Sequence, residues 1–119
     1  MSHIVSIKTQ VTDQAAIRAA CGRVRAEFLG IGQFDVFSRE VAGCGFKLKD
    51  WQYPCVADLK TGDVAFDNYG GRWGEQTRLD NFLQAYAVEK ARIEARKNGH
   101  SVQETAQADG SIKLTIGAV

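Results

Sequence analysis

Val64-Ala65-Phe66-Asp67-Asn68-Tyr69-Gly70-Gly71-Arg72-Trp73-Gly74 is the junction on which the fold turns. Before it lies the strand-like half of the chain, and after it the one long amphipathic helix. Three glycines in the five residues 70–74 let the backbone take positive φ and approach a neighbour closely. Asn68, Tyr69, Gly70, Gly71, Arg72 and Trp73 are therefore the candidate binding residues.

Upstream, the runs 55–59 and 64–69 flank Lys60-Thr61-Gly62-Asp63, a glycine-containing connection that signals a hairpin. Pro54 donates no ladder hydrogen bond and suits a strand's first residue or an edge. Residues 34–41 and 43–49 each read as strand. They form either a hairpin through Ala42-Gly43 or one bent strand with a bulge at the glycines. Residues 3–11 alternate Val5, Ile7, Thr9 and Val11 with polar neighbours, the pattern of a strand with one buried face. Thr12 or Asp13 then caps a helix that buries Ala16, Ile17, Ala20, Cys21 and Val24 and stops by Gly30-Ile31-Gly32.

Downstream, Thr77 with Asp80 resembles a capping box with Asp in place of Glu. Leu79, Phe82, Leu83, Tyr86 and Ile93 form a helical stripe, with Ala87 and Ala91 small enough to approach a sheet. Basic residues gather in the last turns, where the helix dipole favours them, and Gly99 fits just past the end. Asp109-Gly110 joins two alternating runs as a hairpin, with Ile112, Leu114 and Ile116 expected to face the core. The element order predicts an α+β single domain over residues 1–119. Two helices would cover one face of a mainly antiparallel sheet, in a ferredoxin-like (split βαβ) order with extra hairpin strands.

The 119 residues fit one core, and 45% hydrophobic with 24% charged residues argues against disorder. A net charge of +1 gives no general attraction to nucleic acid or anionic membrane. No apolar run reaches spanning length, so no membrane association is expected. The opening Met1-Ser2-His3-Ile4-Val5-Ser6 lacks an export signal, so the expected location is the cytoplasm. The odd cysteine count (Cys21, Cys44, Cys55) then argues for reduced thiols.

Beyond the loop, the residue types that carry chemistry are few. His3, His100 and the three cysteines lack metal-ligand spacing, so no metal or other cofactor is expected. A cysteine paired with His3 or His100 lacks any recognisable oxyanion donors. Asp67 with Asp58 or Asp63 offers a carboxylate pair near one hairpin, but solvated charges account for these better. Lys90, Arg92, Arg96 and Lys97, or Arg18, Arg23 and Arg25, give a basic surface, and Phe37, Phe46 and Tyr69 are candidate base-stacking rings. No RNA-binding signature accompanies them, so nucleic acid is not the expected partner. The loop itself matches neither common phosphate-loop motif.

The residues 1–9, Phe66-Asp67-Asn68-Tyr69-Gly70-Gly71-Arg72-Trp73-Gly74, the helix residues 82–90, and the finish from Gly99 to Leu114 carry a resemblance. The chain resembles a family of unknown function that includes the hypothetical chloroplast reading frame thirty-five of algal plastids and cyanobacteria, with planctomycete relatives. That resemblance implies a small stand-alone protein and supplies no catalytic residue. The plastid members carry a different Trp-rich stretch in place of Arg72-Trp73-Gly74, so a role of this loop need not extend across the family.

Three functional expectations follow. The first is a non-enzymatic binding or adaptor module that uses residues 68–74, together with Trp51 and Tyr53, to hold a protein partner or itself. The second is a small-molecule or anion-binding enzyme at the same loop and the N-terminus of the second helix. The third is an RNA-binding domain.

Overall fold

The computed structural model describes residues 5–8 and 10–118, with side chains over 10–117. His3 and Thr9 lie outside the described residues. The elements run β1 (Val5–Lys8), α1 (Gln14–Val24), β2 (Glu27–Val36), β3 (Arg39–Lys47), β4 (Cys55–Ala57), β5 (Asp63–Phe66), α2 (Gln76–Lys97), β6 (His100–Ala106) and β7 (Ile112–Ala118). The expected α+β class is present, with antiparallel sheets and two helices.

Five strands form one sheet in the order β1-β5-β4-β3-β2, every neighbouring pair antiparallel. β1 and β2 therefore run parallel at opposite edges, and three meander strands separate them. A split βαβ plan places one strand between that pair, so the strand order differs from the ferredoxin-like expectation. The last hairpin also makes its own two-stranded ribbon.

Cross-strand register explains the core. Cys44 opposes Ala57 and Phe46 opposes Cys55, so these side chains share one face of the sheet. Val64 and Phe66 continue that face on β5. Ile17 and Cys21 of α1 and Leu79, Phe82 and Tyr86 of α2 bury against it. Phe46 and Phe82 stack with centroids 4.0 Å apart and planes 14° apart. Each such fully buried side chain contributes about 1.5–3 kcal/mol of transfer free energy.

Local chemistry sets the boundaries. Asp13 caps α1, its Oδ1 accepting from the N–H groups of Ala15 and Ala16. α1 ends at Val24, several residues before the expected glycines, because Arg25 takes the left-handed conformation (φ 60) that glycine usually supplies. Residues 27–36 are strand from there on. The β2–β3 hairpin turns at Phe37-Ser38, not at Ala42-Gly43, which pair with Gln33 and Gly32 inside the ladder. The bulge lies between Phe28 and Gly30. The expected hairpin at residues 60–63 is present, with Asp63 as the first residue of β5.

α2 begins at Gln76 with Glu75 as N-cap and no side-chain cap bond, so Thr77 is inside the helix and makes no capping box. Gln76 Nε2 instead donates to Asp80 Oδ1 at 3.2 Å. Ala87 and Ala91 do not approach the sheet; they line a groove on the outer side of α2, and Ala85 and Ala95 are the buried alanines. Tyr86 ties α2 to the segment before α1. Its hydroxyl accepts from the N–H groups of Thr12 and Asp13, each at 3.1 Å, and donates to the Gln10 carbonyl.

The β6–β7 ribbon docks on α2. Glu104 receives both terminal guanidinium nitrogens of Arg23, at 2.9 and 2.7 Å, and Arg92 at 2.9 Å. Gln84 Nε2 donates to the Gly110 carbonyl at the turn. Ile112 and Leu114 are only half-buried there and Ile116 is 50% exposed, so this stripe lies outside the main core. Among the described residues no helix is long and apolar enough to cross a membrane.

Candidate functional site

Beyond Phe66 the chain leaves β5 through a corner tied by several hydrogen bonds. Asp67 Oδ1 accepts from the Tyr69 N–H at 3.0 Å. The Asn68 carbonyl accepts from the N–H groups of Gly71 and Trp73, and its Nδ2 donates to the Gly74 carbonyl. Tyr69–Gly71 is a short 3₁₀ turn whose glycines sit at φ 61 and 101, the positive values that the sequence suggested. Trp73 is then pinned by its carbonyl, which accepts from the Gln52 N–H at 2.8 Å. Gly74 lies against the Trp51 indole, and a Cβ there would sit 2.4 Å from the ring. Trp51 itself is 2% exposed and donates its ring N–H to the Glu75 carbonyl, so it supports the site from beneath.

Four aromatic rings meet on this corner. Trp73 is half-buried at the centre, with Tyr69 4.8 Å, Phe37 4.9 Å and Tyr53 5.3 Å from its centroid. Phe37 also meets Tyr53 edge-on at 6.0 Å. The exposed Arg72 guanidinium lies 5.2 Å over the Tyr69 ring. Arg72 and Trp73, whose accessibility separates a binding surface from a structural corner, are thus exposed and half-buried respectively.

The backbone is strained here. Phe37 has φ 57 and Tyr69 has φ 48, values that each cost an L-residue about 1–2 kcal/mol. Both strained aromatics touch Trp73, and Phe37 stays 44% exposed. Strain of this kind concentrates at functional sites. Phe37 joins the cluster because the two-residue turn projects it across the sheet end, a position that neither a hairpin at Ala42-Gly43 nor one bent strand would give it.

Beside the cluster, a polar cavity of about 150 Å³ is lined by Lys49, Arg72 and Arg78 with Asp50 and Glu75. Arg78 and Asp50 approach to 3.8 Å across it. A larger groove, about 610 Å³, runs along α2 between Val11 and the Leu83, Ala87 and Ala91 stripe. Its cation, Lys90, is held by Asp13 and Glu94 at 3.0 Å each.

The other candidates separate. Asp58 opposes Asp63 at one end of the β4–β5 hairpin, while Asp67 lies past the far end of β5, so no carboxylate pair forms. Asp67 is 2% exposed and its Oδ2 has no hydrogen-bond partner. Cys21, Cys44 and Cys55 are free and lie together between α1 and the sheet. Burial, reinforced by the neighbouring Cys44, pushes the Cys21 thiol up to about 12, and burial raises Cys44 and Cys55 as well. These thiols stay protonated and are poor nucleophiles. His100 is exposed on the ribbon, and among the described residues no group of three or more His, Cys, Asp or Glu is placed to hold a metal. Phe46 is sealed against Phe82 and is no base-stacking ring. Comparison with family models, curated proteins and solved structures finds no match to this chain.

Proposed function

We propose that the chain is a non-enzymatic binding module that holds another protein on the cluster of Phe37, Tyr53, Tyr69, Arg72 and Trp73. The observation that carries this reading is the pair of aromatics kept at positive φ around Trp73, one of them 44% exposed. A chain selected for stability alone gains little net from displaying a strained phenylalanine, since its ring pairs roughly offset the strain. Trp, Tyr and Arg are the residues that dominate binding energy at protein contacts. The rings are pre-packed on one another, so a partner orders few side chains on docking, which favours affinity. The free, buried thiols fit a reducing setting such as the cytoplasm. We also propose kinship with the plastid and cyanobacterial reading-frame family, which adds no residue role.

The test compares proteins co-purifying with the wild-type chain against Arg72→Ala and Phe37→Gly. A partner held by the wild type and released by both variants supports the reading. An unchanged set of bound proteins, with both variants folded, removes it.

The second reading is an anion site in the polar cavity. It is favoured by Lys49, Arg72 and Arg78 gathered beside an α2 N-terminus that no side chain caps. Glu75 and Asp50 oppose it. Thermal unfolding with phosphate, nucleotides and carboxylates decides: no stabilisation by any of them eliminates it. RNA binding is less favoured, because Arg23, Lys90 and Arg92 already hold carboxylates.

A further inference from the structure

We propose that β7 is a self-pairing edge, through which two copies of this chain join antiparallel about Leu114. The argument starts from hydrogen-bond parity. Residues of β6 and β7 pair without interruption from His100 with Ala118 to Ala106 with Ile112. At the turn the Gln107 N–H donates to the Ser111 carbonyl, so those two residues are a hydrogen-bonded pair. Hydrogen-bonded and non-hydrogen-bonded pairs alternate along an antiparallel ladder. Lys113, Thr115 and Gly117 therefore point their backbone groups at β6. Ile112, Leu114 and Ile116 point theirs outward, and no other described strand pairs with that edge.

The outward residues read the same way in both directions. A twofold axis on Leu114 sets Leu114 against the second copy's Leu114 and Ile112 against the second copy's Ile116. All outward N–H and C=O groups of these residues then find partners. On the opposite, exposed face the same register sets Lys113 against the second copy's Thr115, with no like charges opposed. A slip of one step toward the turn would oppose the two Lys113 side chains. Charge thus disfavours that slip, and the Leu114 register sets the three large apolar side chains of this face, Ile112, Leu114 and Ile116, against one another.

Packing agrees. α2 sits chiefly on β6, so β7 is the outboard strand. Across β6-β7-β7-β6 the two β6 strands would lie about 14 Å apart, three strand spacings. Helices pack at about 8–10 Å, so two α2 helices fit without collision. Ile112, Leu114 and Ile116 from both copies fill the space between, which gives the 50% exposed Ile116 a cover. The edge of β2 lacks these features, being bulged at Gly30 and carrying Asp35 and Glu27. An edge contact of this size predicts a weak, concentration-dependent dimer.

The experiment is sedimentation of the full chain over a concentration series, with Thr115→Lys and Thr115→Glu. Both substitutions sit on the exposed face and leave α2 contacts untouched. In the dimer each places its charge opposite Lys113 twice. Thr115→Lys is expected to weaken dimerisation and Thr115→Glu to strengthen it, each by roughly two- to thirtyfold in Kd. A wild-type chain that stays monomeric up to about 0.5 mM overturns the proposal, and so does a dimer whose Kd neither substitution moves. Phe37→Gly leaves this dimer intact, which separates failure here from failure of the partner-binding cluster.

Discussion

Phe37 is where local energetics and position disagree most. Its backbone conformation suits glycine, yet its ring contacts both Trp73 and Tyr53. Phe37→Gly relieves about 1–2 kcal/mol of backbone strain and loses aromatic pairs worth about 0.5–1.5 kcal/mol each. The two lost pairs sum to about 1–3 kcal/mol, so the variant should lose no more than about 2 kcal/mol of stability in urea unfolding. A loss well beyond that assigns the ring a structural duty instead. Gly74 has the opposite character: Gly74→Ala drives a methyl into the Trp51 indole and should destabilise by about 1–3 kcal/mol. The three thiols, protonated and enclosed, should react with a thiol reagent only when the chain unfolds; rapid native-state labelling would contradict the burial. The loop residues 68–73 were readable as a candidate site because glycine, aromatic and arginine residues crowd there. Phe37 was not, because nothing in Phe37-Ser38 advertises a tight turn.

At the level of elements, legibility followed whether a residue type matched its conformation. Asp13 as a cap, Gly99 after α2 and Asp109-Gly110 in the last turn were readable, since each residue favours the geometry it adopts. The end of α1 at Arg25 and the N-cap at Glu75 were hidden, since neither residue favours its position. The Arg25 N–H closes the first on the Cys21 carbonyl, and the Trp51 ring N–H holds the second at the Glu75 carbonyl. Glu104 is the clearest tertiary tie, joining α1, α2 and β6 through Arg23 and Arg92. Hydrogen bonding from Arg23 lowers its carboxyl below the ordinary 4.5, with burial opposing and Arg92 adding to the effect. A depressed carboxylate stabilises the fold fully above its unfolded pKa and loses that contribution as pH falls through the folded one. Glu104→Gln should thus lower stability at pH 7 by about 1 kcal/mol and flatten the loss of stability below pH ~4.5. An unchanged acid slope would remove Glu104 from that role. Tyr86→Phe should cost about 1–2 kcal/mol, since it frees the N–H groups of Thr12 and Asp13 and the Gln10 carbonyl.

For the whole molecule, class and helix placement were legible and strand order was not. Periodicity identifies a strand's buried face but not its neighbour. The meander inserted between β1 and β2 is what separates this sheet from the split βαβ plan. The ribbon is likewise a local unit, tied to the rest by α2 and Arg23 alone among the described side-chain bonds. The proposed partner-binding cluster lies on the corner between the sheet and α2, on residues whose strain the fold tolerates. The most direct measurement replaces Phe37 by a photo-crosslinking phenylalanine in the living cell, with the same group at exposed Gln33 on β2 as control. The account predicts a crosslinked second protein from position 37 and none from position 33. Equal crosslinking from both, or none from either, would contradict it.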